Sequence, residues 1–521
     1  MQPPAVPESA ICRALTCTDV ILEIIEQTSP SDGAFNSQYD RQLLATLALV
    51  CRAINGHATK ALWSRLDSFI PLMELLSAFD NKVISPDTIP TRMISGDIPS
   101  HEFSRFRELG SFIRVVAPTD YVYESDTIDP DAWLYLAQIS GGKSLFPSLR
   151  ELHWTIDETS GTELLFIVSS SLRRLTVCYG RYSTDSRKWA LSQSMLFRTI
   201  FNVATHLTHL AIDDVDIHEA LLPACLSNLR VLRMLRVVSL DQNAPANLDV
   251  LRTLSSVESL EELSFAVGSI EPIDFIGFPA LKKLRMAMLS GAARPVFNAF
   301  SSPSLRELIL RDQCYYTNTN EIFATSTIIT QRFPSMESLT MTLSVEDIDG
   351  VDLSIQIALA PLFPLPLRKL SLEFEDSPVA ALTDDFFAAL AQSCPQLVEL
   401  SIMIPDQSDD VPLTGVTSHT LLALARSCPQ LQVLQLPRMK SPQPGEVGEY
   451  PVLQHPLRTL AVEHPAIASE EEYTTCALLL DRLFPDLDTT TVSPDIILSD
   501  SWKRVLYCVR LCQLGRSNRA L

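Results

Sequence analysis

Gly141-Gly142-Lys143-Ser144 carries the end of a phosphate-cradling loop, the motif in which backbone amides and a lysine hold nucleotide phosphates. The full loop needs a glycine where Ala137 stands and a helix after the serine. Leu145-Phe146-Pro147 instead leads into a strand pattern, so the reading fails. His101-Glu102 and His218-Glu219 start the zinc-protease pair of histidines four apart, but neither has its second histidine. Glu346-Asp347-Ile348-Asp349-Gly350 is acidic and turn-like with too few oxygen ligands for a calcium loop. Cys508 and Cys512 are four apart, and no second cysteine or histidine pair completes a zinc site. No nucleophile elbow of the form Gly-x-Ser-x-Gly occurs. The sequence thus offers no catalytic residue, no metal site and no cofactor, and a non-enzymatic protein is expected.

The remaining candidates are cations. Arg174, Arg233, Lys283 and Arg285 all flank the second leucine of a recurring Leu-x-x-Leu-x-apolar string. That string occurs at Leu149/Leu152/Trp154, Leu172/Leu175/Val177, Leu207/Leu210/Ile212 and Leu229/Leu232/Met234. It continues at Leu260/Leu263/Phe265, Leu281/Leu284/Met286, Leu305/Leu308/Leu310 and Met336/Leu339/Met341, and then at Leu367/Leu370/Leu372, Leu397/Leu400/Ile402, Leu431/Leu434/Leu436 and Leu457/Leu460/Val462. Alternate side chains of a strand point to opposite faces, so the last two apolar positions enter a core together and their neighbours face outward. The four cations then share one face, suited to an acidic or phosphorylated segment of a protein substrate.

Leu382–Leu400 and Val416–Leu434 align without a gap at an offset of 34, each a helical stretch ending in Ser-Cys-Pro before its strand. Pro147, Pro279, Pro303, Pro334, Pro395 and Pro429 stand two positions before the first apolar residue, where they stop a helix and set up the strand. Cys394 and Cys428 occupy matched positions and read as packed apolar residues. A single repeat cannot bury its apolar edge, whereas a stack buries a continuous core. These residues resemble the leucine-rich-repeat family over 146–492. The spacing varies from 21 to 35 residues, which resembles its irregular, ribonuclease-inhibitor-like class. The resemblance implies an α/β fold, a horseshoe solenoid of parallel strands and helices.

Residues 14–70 differ in texture. Val20–Ile25 and Leu43–Arg52 are compact apolar helical stretches, and Ala61–Leu66 suggests a third helix. With Leu15, then Ile21, Leu22, Ile24 and Ile25, then Val50-Cys51-Arg52, then Leu62-Trp63 and Leu66, this order resembles the F-box, the motif that docks on the Skp adaptor of cullin-type ubiquitin ligases. Together with the repeats it resembles a divergent, fungal-type branch of F-box leucine-rich-repeat proteins. The resemblance implies Leu15, Ile21, Leu22, Ile25, Leu47, Val50 and Trp63 as adaptor-contacting or motif-packing residues. It implies Skp adaptor and cullin as partners, and a role as substrate-recognition subunit. A repeat scaffold with no ligase role is the alternative.

Composition narrows the classes further. The formal charge is -21, which repels phosphate backbones and anionic lipid, so neither nucleic acid nor membrane is an expected partner. The eleven scattered cysteines form no dense framework, and Met1-Gln2-Pro3-Pro4 opens no signal sequence, so a cytoplasmic or nuclear setting is expected. The expected organisation is a disordered start (1–13), the helical module (14–70), a linking region with a degenerate first repeat (71–145), the solenoid (146–492) and a capping helix (493–521).

Overall fold

The computed structural model describes residues 23, 38–50, 52–82, 91–117, 127–156, 161–179, 186–213, 221–241, 245–268, 273–288, 296–312, 319–344, 354–375, 382–403, 416–443, 445, 447–467, 469–489 and 499–520. Two compact units divide the chain, Met1–Ser239 and Leu240–Leu521.

In the first unit two helices, α1 (Gln38–Val50) and α2 (Arg52–Ser64), lead into the sheet. Leu44, Ile54 and Ala58 are buried between them, with Leu47, Ala48, Ala61 and Leu62 packed around that cluster. Strand β1 (Arg65–Leu66) follows α2 with no intervening residue. The expected third helix over Ala61–Leu66 is therefore corrected: Leu62 and Trp63 end α2, and Leu66 is a buried strand residue. The apolar spacing that suggested a helix also suits a strand entering a core, and pairing with later residues decides it. Arg41 ties α1 to this strand, with Nη1 on the Asp67 carboxylate at 2.9 Å and Nη2 donating to the Arg65 carbonyl at 3.2 Å.

A small sheet joins β2 (Phe79–Lys82), β3 (Thr91–Ile94) and β5 (Thr127–Ile128). The main sheet of the unit runs β1, β4 (Val115–Val116), β6 (Glu151–Ile156), β7 (Arg174–Tyr179), β8 (His209–Asp213) and β9 (Val237–Leu240) in spatial order. Leu66, Val116, Leu152, Leu175 and Leu210 lie in register across five parallel strands. Repeat stacking thus begins ahead of residue 146: β4 lies within 71–145, where a degenerate first repeat is expected, and β1 lies earlier still. An aromatic group of Phe69, Trp133, Phe146 and Trp154, with centroids 4.6 to 6.1 Å apart, fills the space under these first strands.

One expected strand is corrected. Leu229–Val231 is a short 3-10 turn, Met234 is exposed, and the strand starts only at Val237. Leu235, Val238 and Leu240 are the buried residues that act as the repeat's three apolar positions. Leucines three apart fit one turn of helix as well as a strand entry, so Leu229 and Leu232 were spent on the turn.

In the second unit β10 (Pro245–Ala246) pairs β11 (Glu262–Val267), which starts a parallel run. The run continues through β12 (Lys283–Met288), β13 (Glu307–Asp312), β14 (Ser338–Ser344), β15 (Lys369–Glu375), β16 (Glu399–Met403), β17 (Val433–Lys440) and β18 (Thr459–Ala466). Leu263, Leu284, Leu308, Leu339, Leu370, Leu400, Leu434 and Leu460 stand in one register column, all buried. Burying each such leucine contributes about 1.5–3 kcal/mol. Parallel neighbours need a crossover, and between β13 and β17 helices supply each one. Helix α3 (Asp384–Ser393) starts after Thr383, buries Phe386, Phe387 and Leu390, and stops at Cys394 before Pro395. Helix α4 (Ser418–Ser427) is capped by the Thr417 hydroxyl, buries Leu421 and Leu424, and stops at Cys428 before Pro429. Helices α5 (Glu470–Leu483) and α6 (Asp500–Ala520) close the chain. The architecture is α/β, with long parallel sheets and many helices, and it resembles a leucine-rich-repeat solenoid.

Candidate functional site

Strand alternation leaves one face of each sheet free of the leucine core, and that face carries the candidate substrate residues. In the second unit its first row, in register, is Glu262, Lys283, Glu307, Ser338, Lys369 and Glu399. Adjacent strands lie about 4.8 Å apart, within reach of an ammonium and a carboxylate. Lys283 Nζ sits 2.9 Å from Glu307 Oε1, and Lys369 Nζ sits 2.9 Å from Glu399 Oε1. The same position in the first unit pairs Arg174 with Glu151 at 3.6 Å. Exposed pairs of this kind contribute about 0–1 kcal/mol each, so their effect is less on stability than on charge: they cancel both lysines of the row and leave Glu262 over.

The second row is Ser264, Arg285, Ile309, Thr340, Ser371, Ser401, Gln435 and Ala461. It is short-chained and mostly neutral. Ser401 and Gln435 are buried, and the Ser401 hydroxyl donates to Gln435 Oε1 at 2.9 Å while Gln435 Nε2 points at Met403 Sδ at 3.0 Å. Arg285 is the one cation of the row.

The expected basic face is thereby corrected. Arg174 and Lys283 are each balanced by a glutamate one strand away. Arg233 lies in the exposed turn ahead of β9, not on a strand. Of these four cations, Arg285 is the one on the strand face without a cross-strand glutamate, and its Nε is buried and without a hydrogen-bond partner. Sequence alternation had identified the face but not its register, and the register supplies the glutamates.

Of the residues the F-box resemblance implied, Leu15, Ile21, Leu22 and Ile25 lie outside the described residues. Leu47 packs against the α1–α2 core, and Trp63 is half-buried at the end of α2. Val50 is 60% exposed, and Leu43 and Leu49, which sequence reasoning had not singled out, are 44% and 86% exposed on the same helix. The signal was present in the sequence as a helix too apolar for a solvated surface.

The Cys394 and Cys428 thiols are buried at matched repeat positions. Burial pushes the Cys394 thiol up to about 11 and the Cys428 thiol up to about 12, and each sulfur faces backbone carbonyls of the preceding repeat. Among the described residues, no group of three or more histidine, cysteine, aspartate or glutamate side chains could hold a metal. No described helix is long and apolar enough to cross a membrane.

No protein-family model and no curated protein matches the chain. Among solved structures, the crystal structure of a TLR13–ssRNA13 complex is similar over 73% of this chain, with a TM-score of 0.34 and 14% sequence identity. This chain spans 58% of the length of that one.

Proposed function

We propose that the chain is a non-catalytic recognition subunit, binding a protein substrate on the strand face and docking through its N-terminal helices on the Skp adaptor of a cullin-type ubiquitin ligase. The observation that carries the recognition half is the in-register strand face. Its first row is held by cross-strand ion pairs and its second by short hydroxyl and amide side chains, a preorganised polar surface that needs little ordering on binding. The docking half is supported by Leu43, Leu49 and Val50, three large apolar side chains that α1 leaves in water. Ubiquitin transfer would then belong to partner subunits. The chain's own contribution is proximity, raising the effective concentration of the substrate near the transfer site. A repeat scaffold with no ligase partner is the second reading, and the strand face supports it equally.

Affinity purification separates the two. The ligase reading expects the Skp adaptor and a cullin to co-purify with the wild-type chain and to be lost from the variant Leu49→Glu with Val50→Glu. Both positions are exposed, so the variant should melt with the wild type. Failure to recover the adaptor with the wild type, or its retention by the variant, sinks docking through α1.

A further inference from the structure

The uncompensated guanidinium on the strand face asks for a partner. Arg285 stands on β12 between Ser264 of β11 and Ile309 of β13, and neither can neutralise it. Its Nε is buried with no hydrogen-bond partner, although a guanidinium offers five donors in a rigid fork. A buried polar group left unpaired in a native fold costs stability and calls for a functional account. Lys283 lies two residues earlier on the same face, and Arg311, in register with Ala287, lies on the same face of the next strand. Glu307 is already engaged by Lys283, and the other acidic residue of this corner, Glu262, is in register with Lys283 rather than Arg285.

We infer that Arg285 anchors an anionic side chain, a carboxylate or a phosphate monoester, presented by an extended segment of the protein partner. This rests on the strand-face reading above. Charge complementarity selects the occupant: a planar fork matches two oxygens of one anion. The surrounding row of short neutral side chains leaves room for the anion's carrier, and Glu307, on the next strand, is taken up by Lys283.

Calorimetric titration of the full chain with inorganic phosphate, and separately with acetate, tests the anchor. Saturable one-to-one binding is expected, weakened about tenfold or more by Arg285→Gln, since a hydrogen bond to a charged group is worth about 1.5–3 kcal/mol. Arg285→Lys, which keeps the charge and loses the fork, should fall between. In phosphate-free buffer Arg285→Gln should melt above the wild type, because it removes an unpaired charge, and it should lose the rise in melting temperature that phosphate gives the wild type. Binding of phosphate alone assigns a phosphorylated segment, and binding of both ions admits a carboxylate. Absence of saturable binding, or unchanged binding by Arg285→Gln, overturns the anchor. So does displacement of phosphate by polyuridylate but not by O-phosphoserine. Thr340→Arg with Ser371→Arg, on the same row, separates the two failures. If that pair abolishes partner capture while Arg285→Gln changes neither capture nor ion binding, the face stands and the anchor falls. If no variant changes capture, the face itself is wrong and the anchor falls with it.

Discussion

The Asp384 carboxylate at the start of α3 accepts a 2.6 Å hydrogen bond from the Thr417 hydroxyl and a 2.9 Å bond from the Thr417 amide, across to the start of α4. The Thr420 hydroxyl adds a third at 2.6 Å. The same belt continues on both sides, with Gln356 and Thr383 joined at 3.1 Å and Ser418 and Tyr450 at 2.7 Å. Successive repeats are therefore coupled at their helix N-termini as well as through the leucine column. A regular asparagine ladder is absent from this sequence, and on these repeats the belt supplies the polar coupling between neighbours.

Asp384→Ala should cost about 2 kcal/mol, because it leaves an amide and two hydroxyls without their charged acceptor. Burial opposes ionisation of Asp384, but the bonds from Thr417 and Thr420 outweigh it and hold the carboxyl below its ordinary value of 3.8. A depressed folded-state value contributes stability that is full above the ordinary aspartate range and is lost as pH falls through the folded value. Urea denaturation of wild type and Asp384→Asn across acidic pH should show a shallower slope for the variant. Identical slopes would mean that the carboxylate is not the coupling group.

His455 makes a second link, donating from Nε2 to the Cys428 carbonyl at 2.9 Å while Nδ1 accepts from the Leu457 amide at 3.2 Å. With one ring nitrogen accepting, the imidazole is neutral. Burial lowers its proton affinity below the ordinary 6.5, against the opposing pull of the Cys428 carbonyl. In the unfolded chain it protonates at the ordinary value, so stability is full above that value and declines as pH falls from there toward the depressed folded value. Melting temperatures at about pH 8 and about pH 5 should differ less for His455→Leu than for the wild type. The variant should also be less stable at both, since it leaves the Cys428 carbonyl and Leu457 amide unpaired.

The leucine column tests the repeat assignment directly. Leu370 and Leu400 are buried and in register on adjacent strands, so changing either to Ala should cost about 2–5 kcal/mol. Hydrogen exchange should quicken first in β15 to β17, because stability in a repeat array is close to nearest-neighbour. Uniform loss of protection over the whole second unit would contradict that.

How much of this was legible in the sequence depended on whether a residue acts within its own repeat or across repeats. Leu284, Leu308 and Leu339 were readable because each repeat states the same rule. Leu229 and Leu232 were misread because leucines three apart also make a 3-10 turn, and only Val238 and Leu240 beyond them settle where the strand lies. The neutralising glutamates were readable in principle: Lys283 precedes Leu284 as Glu307 precedes Leu308, so aligning the leucines aligns the charges. Asp384 was not readable, because a first-turn aspartate ordinarily serves its own helix, and here it serves the next one.

The end of the solenoid carries the last prediction. Beyond β18, the last strand among the described residues, the apolar core needs a cover. Here α6 supplies it: Trp502, Val505, Leu506 and Val509 are buried, and Trp502 Nε1 donates to the Leu460 carbonyl of β18 at 3.2 Å. Arg516 pairs with Asp481 at 2.8 Å, while Gln513 Nε2 donates to the Leu487 carbonyl at 2.8 Å, so the helix is also fixed along α5. Trp502→Ala removes the largest side chain of this seal and should cost about 3–5 kcal/mol. The loss should be graded along the chain. Exchange protection should fall most in β18, less in β17, and little in β11 to β13, because each repeat depends mainly on its neighbours. Trp502→Phe, which keeps most of the volume and removes the indole N–H, should lose about 1 kcal/mol from the missing bond to Leu460 and keep the gradient small. Protection lost equally in β11 and β18 would show that α6 acts on the fold as a whole and not as an end cap.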